Sequence, residues 1–180
     1  MQIDKAAFIE KIISALASAD IDYSERLAFI KEKHLQGEIW RPASVLLILE
    51  CYSKSTKSNE SGCNFLLSKR SVNVQQPGDL CCPGGGSHPW ADQILSYFLS
   101  TGFLNPFKGQ GFQKAKERDA TTFRNISFFL TTALRESWEE IRLNPFLLDF
   151  MGPLPCYQLK VFRRIIFPLV VRLEKEWTLS

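Results

Sequence analysis

The chain has 180 residues, 45% of them hydrophobic and 23% charged, with a formal net charge of +3. That length suffices for one domain with a proper core, or for one domain and a small appendage. The composition excludes an intrinsically disordered chain, and the mild positive charge permits a phosphate-bearing ligand without calling for nucleic acid.

Taken from the start, "MQIDKAAFIEKIISALAS" carries Asp4, Lys5 and Glu10 too early for a signal peptide. Ala7, Phe8, Ile12, Ala15 and Leu16 recur at helical spacing, which predicts a helix over 4–18. Ser24 is a plausible N-cap for a second helix through Leu27, Ala28 and Ile30, ending near Gly37. Together they make an N-terminal helical segment, 1–38, that reads as a packing hairpin or as the contact of a homodimer. The remaining chain, 39–180, reads as one domain.

"RPASVLLILECY" (41–52) is an apolar run of the kind buried in a sheet. The polar 53–62 reads as a hairpin loop, and "CNFLLSKRS" (63–71) as an antiparallel second strand. The next stretch ends in three glycines, Gly84, Gly85 and Gly86, where the backbone turns sharply or approaches a ligand. Ile94, Leu95, Phe98 and Leu99 predict a helix over 90–99. "STGFLNPFKGQGFQKAKERDATTF" reads as a mobile, solvated loop, or as a basic lip for an anion. A further helix begins near Thr121 or Asn125 and runs through Glu140, stopped at "LNP" (143–145) because the residue before proline avoids helical angles. "VFRRIIFPLVVRL" (161–173) is a last strand.

Short apolar strands between amphipathic helices give an α/β fold with a mixed sheet. "IIFPLVV" is too short to cross a bilayer, so no membrane partner is expected. Five cysteines, with Cys81 next to Cys82, do not look like a secreted disulfide framework. A soluble, cytoplasmic protein with reduced thiols follows. His34 and His88 are far apart and no Cys-x-x-Cys occurs, so a structural zinc site is not expected.

The stretch "ALRESWEEIRL" (133–143) raises the chemical question. On a helix Glu136, Glu139 and Glu140 share one face, while Leu134, Trp138 and Ile141 point to the opposite side and are expected in the core. Like charges at that spacing repel, and something must offset them. Arg135 and Arg142 could do so as surface ion pairs. A hard divalent cation, which favours clustered carboxylate oxygens, is the other candidate.

Pro83-Gly84-Gly85 together with Arg135-Glu136-Ser137-Trp138-Glu139-Glu140 resembles the two halves of a Nudix box. That pattern runs glycine, five residues, glutamate, seven residues, then Arg-Glu-apolar-any-Glu-Glu-any-Gly-apolar. "FLLSKRS", "PGDLCCPGGG" and "ALRESWEEIRL" are together similar to the coenzyme A pyrophosphatase branch, over residues 41–173. Several positions depart from the pattern. A segment at about 86–120 is inserted between the box halves. Counting to the first glutamate from Gly85 lands on Ala91, beside Asp92. Ser137 replaces the apolar residue, Arg142 the glycine, Cys82 the aromatic before Pro-Gly-Gly, and Gln76 a histidine. By the resemblance a further strand, a loop and a closing helix are expected to follow the strand that "IIFPLVV" resembles.

The resemblance implies an α/β/α sandwich that hydrolyses the pyrophosphate bond of a nucleoside diphosphate derivative, coenzyme A or an acyl-CoA among them. By the same resemblance Glu136, Glu139 and Glu140 hold Mg²⁺ or Mn²⁺, and Arg135 orients them. Gly84 and Gly85 let the backbone approach the metal or pyrophosphate. Lys69 and Arg70 are candidates for substrate phosphate, with solvated strand-end charges as the bland alternative. A Nudix-like module that binds a nucleotide-containing ligand or a protein partner without cleaving is the competing expectation.

Overall fold

The computed structural model describes residues 5–52, 62–69, 78–102 and 104–174. It is a mixed α/β structure. Two helices, α1 (Lys5–Ser18) and α2 (Tyr23–Leu35), precede β1 (Arg41–Tyr52). Then follow β2 (Gly62–Leu66), β3 (Ser68–Lys69), β4 (Leu80–Cys81), β5 (Gly84–Gly86) and α3 (Pro89–Leu99). A 3-10 turn, Asn105–Phe107, leads into α4 (Gln110–Lys116) and the long α5 (Ala120–Ile141). The chain continues through β6 (Leu148–Pro153), β7 (Tyr157–Leu159) and β8 (Arg164–Leu173).

The main sheet runs β2-β1-β8-β6, with β5 also on β1 and β7 also on β8. β1 and β8 are parallel, with Arg41 opposite Arg164 and Glu50 opposite Leu173. The other pairings are antiparallel. The expected antiparallel pairing is present, with Ile48 opposite Leu66 and Cys51 opposite Cys63, but the second strand ends at Leu66, Ser68–Lys69 pair with β4, and the connection at 53–61 lies outside the described residues.

Alternation along these strands sorts the core onto two faces. Leu46, Ile48, Ile165, Phe167, Leu169 and Val171 meet Ile126, Phe129, Leu130 and Ala133 of α5. Phe129 stacks on Phe167 with ring centroids 3.7 Å apart, and Tyr23 of α2 meets both rings edge-on. Leu49, Cys51, Met151 and Val170 form a second cluster with Ile9, Ile13 and Leu16 of α1. The two N-terminal helices thus pack in different core clusters of their own chain, α2 with α5 and α1 with β6, rather than against each other as a hairpin.

Four sequence expectations are corrected. The segment 100–120 is not a solvated loop: Phe107, Phe112 and Ala115 are buried, and α4 lies against β6. Gly111 permits that approach, since a Cβ there would lie 2.2 Å from the Phe150 carbonyl oxygen. Residues 148–159, to which the sequence gives no element, form β6 and β7, with a register shift between Phe150 and Gly152. The last strand starts at Arg164, after a turn at 160–163. Finally, Cys51 and Cys63 form a disulfide across β1 and β2, so these two are not the reduced thiols expected. No helix among the described residues is long and apolar enough to cross a membrane.

Candidate functional site

α5 begins with Asp119 as N-cap, its carboxylate accepting from the Thr121 and Thr122 amides at 3.0 Å. From there the buried stripe runs through Ile126, Leu130, Ala133 and Leu134 to Ser137. Each residue turns the helix by about 100°. Ser137 therefore takes the inward position, fully buried, with its hydroxyl donating to the Ala133 carbonyl at 2.7 Å. Trp138 falls on the shoulder of that stripe and is 47% exposed. This corrects the expectation that it is a core residue. The serine standing where an apolar residue was expected is the one that packs.

Glu136 and Glu140 lie on the other shoulder, over β5. That strand pairs with β1, Gly84 opposite Val45 and Gly85 opposite Ser44. The Gly84 amide donates to a Glu140 carboxylate oxygen at 3.2 Å. A Cβ on Gly85 would stand 2.0 Å from Glu136 Oε2. A Cβ on Gly84 would meet the Ser44 carbonyl oxygen at 2.2 Å, and Gly84 holds φ +146. Both glycines are thus explained by close approach. Gly85 leaves room for an acidic side chain, and Gly84 for the neighbouring strand.

Arg135 organises the acids. Its Nη1 donates to Glu136 Oε1 at 2.7 Å and to Glu139 Oε2 at 3.2 Å, and its Nη2 to the Gly86 carbonyl at 3.1 Å. The far edge of the guanidinium forms a two-pronged pair with Asp92, Nε to Oδ1 at 2.8 Å and Nη2 to Oδ2 at 3.2 Å. Asp92 also accepts from the His88 amide at 2.8 Å and the Thr132 hydroxyl at 2.9 Å, and it is fully buried. Burial pushes the Asp92 carboxyl up, but the hydrogen bonds from Arg135, His88 and Thr132 outweigh it and hold the group below the usual aspartate range. Chiefly through its bonds to Asp92, Arg135 is held even more firmly protonated than usual.

Asp92 is the residue that sequence reasoning missed. It sits in the first turn of α3. Counted from Gly86 rather than Gly85, five residues intervene before Asp92, which is the spacing of glycine to first acid in the box pattern. The run of three glycines concealed that register.

Arg142 ends α5 with φ 55 and ψ 29; its amide donates to the Trp138 carbonyl and the Leu143 amide to that of Ser137. That left-handed backbone favours glycine, which is what the box pattern has at this position. The helix thus ends one turn before Pro145, by a left-handed cap.

Among the described residues Arg135 pairs with three carboxylates, Asp92, Glu136 and Glu139, and Glu140 meets the Gly84 amide. These donors are oxygens, a set that suits a hard divalent cation. Glu139, at 56% side-chain exposure, meets solvent, whereas Glu136 is at 17%. With the side chains drawn to Arg135 and the Gly84 amide, no three acids, histidines or cysteines among the described residues converge to metal-holding distance. Cation binding would call for Glu139 to turn from Arg135, a rotation its exposure permits.

Lys69 is exposed on β3, opposite Leu80 of β4. No hydrogen bond or salt bridge described here joins it to the α5 glutamates. Arg70 and Gln76 lie outside the described residues. No protein-family model matches the chain, and no curated protein matches it.

Proposed function

We propose that the α5 acids and the β5 glycines form the active site of a divalent-metal-dependent pyrophosphohydrolase of the Nudix type. Its substrate would be a nucleoside diphosphate derivative, with coenzyme A or an acyl-CoA as the first candidates. The observation that carries this is the convergence of two segments distant in sequence. Gly84 and Gly85 lie directly against Glu140 and Glu136, as the two halves of a split box must. Asp92 and Arg142 support the same reading.

In this scheme Glu136, Glu139 and Glu140 hold Mg²⁺ or Mn²⁺. An ion held there would supply charge neutralisation at the pyrophosphate oxygens and a more acidic bound water. Arg135, fixed by Asp92, keeps Glu136 and Glu139 in position. The glycine strand brings backbone close to the carboxylates without side chains in the way. One of the exposed glutamates, Glu139 or Glu140, takes the proton from the attacking water. Lys69 and Arg70 are kept as candidates for the substrate's outer phosphates. A cytoplasmic location and a homodimer belong to the same reading, which cell fractionation and sedimentation test.

The test is product analysis after incubation with coenzyme A, acyl-CoA, NADH, ADP-ribose and nucleoside triphosphates, with and without Mg²⁺ or Mn²⁺. The reading expects two phosphate monoesters from at least one dinucleotide-like substrate, and only with metal. One observation favours a second reading, a module that binds such a ligand without cleaving it. Arg135 already engages Glu136 and Glu139. Metal-independent ligand binding with no product would decide for that alternative.

A further inference from the structure

The turn between β7 and β8 reads Lys160-Val161-Phe162-Arg163, and Arg164 opens β8. Val161 is 89% exposed and Phe162 is 42% exposed. Turn tips normally carry polar residues, because they stand in water. The adjoining strand supplies more of the same kind. The Arg41 amide donates to the Arg163 carbonyl at 2.9 Å, and Arg41 lies opposite Arg164 in the parallel register. Ile39, two residues earlier, is 64% exposed.

One end of the sheet therefore presents apolar side chains among four cations. None of the four makes a salt bridge among the described residues. Two of them, Arg41 and Arg164, are placed side by side across paired strands, where like charges repel. Glu38 is near enough to feel Arg163, but it is held by Lys33 and the Trp40 indole.

We propose that this tip docks on an anionic lipid surface. Val161, Phe162 and Ile39 enter the headgroup boundary, and the four cations pair with lipid phosphates and carboxylates. Charge and apolarity together select this occupant. An acidic protein would answer the cations and leave no reason for a projecting valine, and a neutral apolar partner would leave the cations unanswered. An anionic bilayer answers both. The chain would lie on the membrane, which is compatible with its having no described helix long enough to cross one.

Co-sedimentation of the intact chain with vesicles tests this. Vesicles of phosphatidylcholine alone should leave it in solution, and vesicles that also contain phosphatidylserine should carry it down, less so as salt rises. Val161→Asp should weaken the partition about tenfold, the worth of one inserted valine. Lys160→Glu and Arg164→Glu should each weaken it at least roughly fivefold. Circular dichroism verifies that the variants stay folded, and Val161→Asn serves as a milder second variant. Absence of binding to either vesicle, binding indifferent to Val161, or capture by heparin or polyglutamate without vesicle binding would each overturn the proposal.

Discussion

Gly84 and Gly85 are adjacent, yet they should fail differently when given a side chain. At Gly84 the new Cβ meets backbone, the Ser44 carbonyl oxygen, at a φ of +146 that alanine resists. Gly84→Ala should cost about 2 kcal/mol or more in stability, measured by denaturant titration. At Gly85 the obstacle is the end of the Glu136 side chain, which can rotate away. Gly85→Ala should leave stability within about 1 kcal/mol of wild type while lowering any metal-dependent hydrolysis by displacing that carboxylate. Equal losses of stability at both sites would contradict the close-approach account. Asp92 supplies a pH prediction. Its folded pKa lies below its ordinary value of 3.8, so the unfolded chain binds the proton more readily. Its contribution is full at neutral pH and is lost as pH falls below about 4, through the folded pKa. Asp92→Asn should remove that acid-limb dependence and cost about 3 kcal/mol at pH 7, since Arg135 loses its buried partner. An unchanged acid limb in Asp92→Asn would show that other carboxylates govern it.

Among the elements, those legible in the sequence have one strong period and clear ends. β1 is a long apolar run after a proline, and α5 has a sustained helical stripe. The acids of α5 were legible for the same reason, since i, i+3 and i+4 places them together wherever the helix lies. Trp138 was misplaced because the face opposite the acids was read as the core, while the buried stripe through Ile126, Leu130 and Leu134 selects Ser137 beside it. β6 was hidden by its own irregularity, Met151 being the extra residue that breaks alternation before Gly152. α4 was hidden by brevity: it spans Gln110–Lys116, and Phe112 and Ala115 give its inward face only two anchors. Phe112 is nonetheless fully buried, against Phe107 at 5.0 Å and Phe150 at 6.4 Å between ring centroids. Phe112→Ala should therefore cost about 3–5 kcal/mol, the range for a buried phenylalanine. A loss under about 1 kcal/mol would return the segment to a surface loop.

At the scale of the whole molecule, the segment between the glycine strand and α5 does two separate jobs. Its first part, α3, brings Asp92 to Arg135, and its later part, α4, walls the core along β6. α3 follows the glycine strand directly, whereas the packing of α4 on β6 left no signal in the sequence. The distinction matters because residues far apart in the chain, 84–86, 92 and 135–140, meet only once the sheet and α5 are packed together. The central claim is that this meeting place holds a divalent cation. Calorimetric titration of the intact chain with Mn²⁺, beside Glu140→Gln, tests it most directly. Replacing that carboxylate keeps size and hydrogen bonding but removes a negative charge. The account predicts saturable Mn²⁺ binding by the wild type and binding weakened at least tenfold in Glu140→Gln, with an unchanged melting profile in the absence of metal. A folded wild type that takes up no Mn²⁺, or a Glu140→Gln variant that binds it equally well, would contradict the claim.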